Sequence, residues 1–464
     1  MLPFEGDLGM EKFLFGLIVA GILPVLAQAA DMEDVARPWR DYWNAHRAQC
    51  EADIEVVRKS NGRIVITDEN GSPMPGAECL IRQTGSDFVW GCSGLSLGQL
   101  GSMEAEYDAK LAEIFNMVTT TFCPGAMRPE PDVWRFDEDS AEIYRRPPSD
   151  RVLAFCRKHG LKMKGQPLLC DHWHPKWAMK QTKAEAEVFY REWFRGVADR
   201  YGMTVWYFDV VNEAFDTWKR TPDFPLYGGD EELPFVDWAF AEAGKVFPTN
   251  CLLGINMGIN STTWDDGPRG GKRYFRLCKR ILDGGHRLDA IGFQFHLFGP
   301  ERMREMLGLK LWHPDSLKES YRTFATLGRP LYINEITIPA VTLPGAAGEA
   351  LQAEVAEDLY RFWFSCKELK GVTWWNLFDG ATWVNEGGSN GALLDRFMRE
   401  KPAYTTLRRL IKREWNTSFL AKAGDDGAVS FRGFRGTYEA IVMRNEKLRT
   451  IKFRLTEDGV VRVR

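Results

Sequence analysis

The chain has 464 residues, 44% of them hydrophobic and 27% charged, with a formal net charge of −4. Sixty Lys and Arg against 64 Asp and Glu leave no basic surplus, which argues against nucleic acid as a partner. The same ordinary composition excludes collagen-like, strongly disordered and multi-span membrane classes.

In chain order, Met10, Glu11 and Lys12 precede an apolar run at 13–26, and Ala27-Gln28-Ala29 closes it with small residues. This pattern predicts a secretory signal over residues 1–29 and a secreted or periplasmic protein with no membrane attachment after cleavage. The run is also shorter than the about 20 residues that a spanning helix needs. Residues 51–87 alternate in short strand-like runs around Asn61-Gly62 and Asn70-Gly71, two hairpin dipeptides. Residues 416–464 read the same way: Ile451, Phe453 and Leu455 alternate with Lys452 and Arg454. Each end is too small to bury a face alone, so the two are expected to pack together as one discontinuous β accessory domain.

Residues 88–415 carry eight apolar runs, at 88–92, 117–122, 161–170, 205–213, 251–257, 290–298, 330–338 and 371–378. They alternate with amphipathic stretches such as 183–200 and 349–370, which predicts an α/β chain folded as a (β/α)8 TIM barrel. An open doubly wound sheet is the alternative, but no glycine-rich phosphate fingerprint follows the first run. Nine scattered cysteines without a CxxC pair form neither a disulfide framework nor a zinc site; buried apolar filling is the expected use, with one or two bridges left open.

Catalytic groups of such a barrel sit at the carboxyl ends of its strands. Two runs end alike, W-Y-F-D-V-V-N-E at 206–213 and L-Y-I-N-E at 331–335, which singles out Glu213 and Glu335. A carboxylate this deep in an apolar strand is costly unless it is paired or used, so a satisfied buried salt bridge is the structural alternative. Two carboxylates across one mouth are what glycoside hydrolysis needs, with no metal or cofactor. Trp173, Trp177, Trp374, Trp375 and Trp383 fall at or just after strand ends, where indole faces could stack on sugar rings; core packing is the alternative for any one of them.

Five ordered pieces resemble glycoside hydrolase family 10, the retaining endo-β-1,4-xylanases: D-V-V-N-E at 209–213, G-F-Q-F-H at 292–296, I-N-E-I at 333–336, W-N-L-F-D-G-A-T-W at 375–383, and L-L-D followed by K-P-A-Y within 393–404. The resemblance spans residues 88–410. It implies Glu213 as acid/base and Glu335 as nucleophile. It further implies Asn212 and Gln294 as partners of the sugar 2-hydroxyl and the carboxylates, His296 as the hydrogen-bond partner of the nucleophile, and Trp375 and Trp383 as aromatic walls. Its expected partner is a polysaccharide or oligosaccharide, bound by a monomer without cofactor.

The chain departs from the family pattern after its second and third strands. Residues 118–126 read V-T-T-T-F-C-P-G-A where the family carries V-T-x-E-N-x-M-K-W, and G-Q-P-L-L-C-D at 165–171 stands for G-H-T-L-V-W-H. Gln166, Cys170 and Asp171 therefore replace His, Trp and His, and the Glu, Asn and Lys that grip xylose are absent. A less polar glycone side is expected, stacking its sugar on Phe122 and Trp173. Changed polar groups point to decorated xylan or another β-linked glycan, since a site built for particular hydroxyls rejects analogues strongly. A retaining β-glycosidase for a different glycan and a non-catalytic carbohydrate-binding barrel are the competing functions. Asp171, His172 and His174 could together ligate a metal, though a rebuilt sugar-contacting loop fits their position better.

Overall fold

The computed structural model describes residues 9–170, 173–216, 223–227, 232–258, 263–267, 269–444 and 447–462. Helix α1 (Gly9–Arg58) leads into strands β1 (Lys59–Val65) and β2 (Glu78–Ser86). Eight strands follow: β3 (Val89–Ser93), β4 (Met117–Thr121), β5 (Lys162–Gln166), β6 (Tyr207–Asn212), β7 (Leu252–Met257), β8 (Ala290–His296), β9 (Leu331–Thr337) and β10 (Leu369–Trp374). They pair in parallel and in sequence order, and β10 closes onto β3 to complete a barrel. Each strand is covered by helices outside and side chains inside, as a parallel barrel demands, and all seven residues of β9 are buried. This is the (β/α)8 barrel that the alternation of apolar runs predicts.

The helices follow from local chemistry. Lys183–Tyr201 opens with a capping box in which Thr182 and Glu185 satisfy each other's backbone amides. Ser149–His159 ends on Gly160 in the left-handed conformation, with Arg157 and Lys158 in its last turn.

The chain ends meet beside the barrel. Strand β1 pairs antiparallel with β12 (Ala428–Phe434). Strand β2 is sandwiched between β11 (Ser418–Lys422) and β13 (Gly436–Arg444), and the sheet continues through β14 (Lys447–Thr456) and β15 (Gly459–Arg462). Ile64, Ile81, Val429, Tyr438, Phe453 and Leu455 belong to one small core separate from that of the barrel.

Two local expectations are corrected. Residues 51–58 are helical rather than extended: Ala36, Trp39, Trp43, Cys50 and Ile54 of α1 are buried at helical spacing, and Trp39 Nε1 donates to Asp358 at 3.0 Å. Asn61-Gly62 is no hairpin turn but the middle of β1, facing Arg432 and Phe431. A Cβ on Gly62 would stand 2.8 Å from the Phe431 ring, so this glycine makes room for an aromatic side chain. Asn70-Gly71 does lie in a turn, where Asp68 N donates to Ser72 O at 2.8 Å.

Candidate active site

The carboxyl ends of the barrel strands enclose a cleft of about 560 Å³. Glu335 on β9 is 4% exposed at its floor. Its Oε1 accepts from Gln166 on β5, from Asn256 Nδ2 on β7 at 2.7 Å and from Gln294 Nε2 on β8 at 3.1 Å. Its Oε2 lies 3.1 Å from His296 Nε2, while His296 Nδ1 lies 2.8 Å from the Thr337 hydroxyl. A neutral imidazole that accepts from Thr337 presents its N–H to the carboxylate. Four donors thus face this group and fix its orientation.

Glu213 follows β6 with a left-handed φ of 53°, its amide donating to Asn256 O at 2.9 Å. Such a conformation costs of order 1–3 kcal/mol for a non-glycine residue and gathers at functional sites. The β6–β7 register shifts between Asp209 and Val211, and the β8–β9 register between Phe293 and Gln294, irregularities that re-aim side chains at the rim. Gln294 Nε2 lies 3.0 Å from Glu213 Oε1 and 3.3 Å from Asn212 Oδ1. Because the same nitrogen reaches Glu335 Oε1, its 3.0 and 3.1 Å legs bound the separation of the two carboxylate oxygens at 6.1 Å. Beneath them, Lys164 pairs with Asp209 inside the barrel, both 0% exposed, and Asn334 Nδ2 donates to Asp209 at 3.3 Å. Burial raises the Asp209 carboxyl above its ordinary range, with the Lys164 ammonium working against it.

The family description "Glycosyl hydrolase family 10" matches residues 95–410. The chain belongs to glycosyl hydrolase family 10. Relatives include an endo-1,4-beta-xylanase/feruloyl esterase of Xylanibacter ruminicola, 27% identical over 63% of this chain and 42% of that protein. A beta-1,4-xylanase of Dictyoglomus thermophilum is 26% identical over 54% of this chain and 70% of its own. The anti-sigma-I factor RsgI6 of Acetivibrio thermocellus is 22% identical over 84% of this chain and 45% of its own. The chain thus spans less than half the length of two of these three. Native xylanase 10B of Thermotoga maritima has the same fold, with a TM-score of 0.56 at 20% identity over 71% of this chain and 96% of that one.

The family 10 cleft gathers Asn212, Glu213, Gln294, His296, Glu335, Gln166, Trp173, Trp375 and Trp383 on its walls. Trp375 Nε1 donates to Glu386 at 3.1 Å and its ring meets that of His296 at 6.0 Å. Phe122 is a correction: it is 0% exposed and packs edge-on against Phe208 and Tyr201, so it faces the helical layer and offers no surface to a sugar. Asp171, with His172, lies outside the described residues. His174 is a core side chain held between the hydroxyls of Tyr190 at 2.9 Å and Tyr227 at 2.6 Å and stacked on Phe224. Trp374 is buried with its Nε1 on Gly391 O, and Trp177 packs on Phe189. Among the described residues no three His, Cys, Asp or Glu side chains are grouped to hold a metal ion. All nine cysteines are buried and unbridged, and Cys123 and Cys170 bring their sulfurs to 3.5 Å in the cleft wall.

Sequence reasoning missed Arg146, Glu386 and the Asp216–Arg269 ion pair at 2.5 Å on the cleft, and the buried Asn256 that donates to Glu335. Asn256 was within reach, because it is a polar residue near the end of the apolar run L-L-G-I-N-M, the rule that singles out the two glutamates. A larger cavity of about 900 Å³ runs between Arg58, Phe88 and Arg435, with Asp87, Glu368 and Glu457 also on its walls.

Proposed function

We propose that this protein is a retaining glycoside hydrolase that cleaves xylan or a related β-linked glycan by double displacement. The observation that carries the reading is that one nitrogen, Gln294 Nε2, reaches both carboxylates, so that their facing oxygens lie no more than 6.1 Å apart, the close approach that direct attack needs. Retaining enzymes hold their carboxyl groups about 5–5.5 Å apart, whereas inverting ones need about 6.5–9.5 Å to admit a water. Glu335, fixed by four donors, attacks the anomeric carbon while Glu213 delivers its proton to the departing glycosidic oxygen. Glu213 then takes a proton from water, which releases the sugar from Glu335 with its anomeric configuration kept. The xylanase names of several relatives support the substrate class.

The rebuilt glycone side argues for a decorated or different chain over plain xylan. Gly125, where the family places a polar side chain, donates its amide to Trp173 O at 2.7 Å, and a Cβ there would stand 2.6 Å from that oxygen. The loops after β4 and β5 therefore close backbone to backbone, with no room for the family's hydrogen-bonding group. The apolar run before Ala27-Gln28-Ala29 supports export, so that the substrate is met outside the cytoplasm.

Proton NMR of products released from xylo-oligosaccharides and decorated xylan tests the reading. The β-anomer should form first; early α-product would overturn double displacement, and no turnover on any β-linked glycan would overturn the activity.

A further inference from the structure

Four acids and two arginines line the cleft, and all but one of these charges are answered within it. Arg269 pairs with Asp216, Glu386 faces Arg145 at 3.5 Å, and the two catalytic glutamates are held by amides and an imidazole. The exception is Arg146. It is 6% exposed, and no carboxylate pairs with it among the described residues. Its Nη1 donates to Arg145 O at 2.8 Å, whereas its Nε, itself buried, has no acceptor among the described residues.

Its setting is built. Arg145 has a left-handed φ of 56°, which parts two consecutive guanidinium groups. Arg145 turns inward to Asn376 Oδ1 at 2.8 Å and Ala381 O at 2.7 Å, while Arg146 reaches the cleft. There it lies 4.4 Å from the ring centre of Trp173 and 5.1 Å from that of Trp383. Glu386 acts on Arg146 across the cleft without forming an ion pair with it, and the two indole faces return part of the cost of burying the guanidinium. A guanidinium on the cleft wall favours a carboxylate, to which it gives a charge-assisted hydrogen bond. Neutral xylose offers no such group.

Resting on the glycosidase reading, we propose that the cleft binds a uronic acid, with the sugar carboxylate on Arg146 and the ring against the indole pair of Trp173 and Trp383, whose centres stand 5.9 Å apart, too close to admit it between them. The carboxylate comes either from a glucuronic acid branch on a xylan chain or from a uronate in the β-linked backbone itself. Arg146 is a specificity residue in this assignment and takes no part in bond cleavage.

The test compares kcat/KM on a glucuronic-acid-branched xylo-oligosaccharide and on a β-1,4-linked oligoglucuronide, each beside its carboxyl-reduced counterpart. The wild-type protein should prefer one acid over its reduced form by roughly 10- to 100-fold, the range for a hydrogen-bonded ion; which acid is preferred identifies the source. Arg146→Gln should bring that ratio to about one, and Arg146→Lys should keep part of it, since an ammonium retains the charge without the fork. Equal wild-type rates on acid and reduced forms would overturn the proposal, as would an Arg146→Gln variant that slows both forms equally. Should Arg146→Gln fail to fold, the wild-type ratio and the lysine variant decide. Should no substrate be cleaved, the glycosidase reading falls, and calorimetric binding of the same acid and reduced oligosaccharides decides Arg146 alone: preference for the acid supports it, and equal or no binding refutes it.

Discussion

The two walls of the cleft are built by different means. On one, Asn212, Gln294, His296 and Glu335 stand on barrel strands, with Glu213 one residue beyond, joined by hydrogen bonds that leave each carboxylate a fixed place. On the other, Gly125, Arg146 and Trp173 stand in the connections after β4 and β5, held by backbone hydrogen bonds such as Gly125 N to Trp173 O and by contacts of Arg146 and Trp383 with the Trp173 ring. Chemistry requires placement to a fraction of an ångström, which a sheet supplies, while choice of sugar varies with loops that the sheet does not constrain.

If the strand wall carries the chemistry, its loss is the largest effect. Glu335→Gln should lower kcat about 10⁴-fold or more on every substrate, because removing a nucleophile abolishes its route. A mechanism-based 2-fluoro glycoside should label Glu335 in the native protein, as read by peptide mass spectrometry; label elsewhere would reassign the nucleophile. Glu213→Gln separates the two steps. It should cost about 10²- to 10⁴-fold on substrates with poor leaving groups, yet leave the first step fast on activated aryl glycosides, which need no acid. Equal loss on both classes would remove Glu213 from its acid/base role.

The same division explains what the sequence reveals. The barrel strands are legible because most of their residues are buried on both faces, and those that carry Glu213 and Glu335 read as apolar runs against which the two carboxylates stand out. Arg146 is invisible by that rule. It lies in the connection between Met117–Thr121 and Ser149–His159, where no periodicity marks which of many polar residues turns inward. Phe122 reads as a sugar-stacking ring only until its direction is known, since it follows a strand and alternate positions point outward. The end of α1 reads as a strand because Ile54, Val56 and Val57 are β-branched, and packing against the barrel overrides that preference.

Below the strand wall, Lys164 and Asp209 test whether the floor is rigid. Lys164→Met leaves Asp209 buried without its counter-charge, which should cost about 3–5 kcal/mol of stability. The sign of its pH dependence follows from Asp209: with its folded pKa above the ordinary 3.8, folding takes up a proton, so stability falls as the pH rises above that value. Without the ammonium the fall steepens. Chemical denaturation should show a wider gap between variant and wild type at pH 8 than at pH 4; an equal gap would show that Asp209 stays protonated in both.

The smallest effect belongs to the loop wall. Trp173 meets Trp383 at 5.9 Å between ring centres and lines the cleft, while Glu335 takes its hydrogen bonds from Gln166, Asn256, Gln294 and His296. Trp173→Ala should therefore cost about 1 kcal/mol, or roughly fivefold in kcat/KM, on oligosaccharides that reach across the glycone side, the worth of one stacking contact. The loss should fall in KM, because stacking holds substrate and transition state alike. An aryl monoglycoside, too short to reach the ring, should be turned over at the wild-type rate. A kcat loss of about 100-fold on that short substrate would mean that the loop positions the carboxylates after all, and the two walls could no longer be read as separate devices.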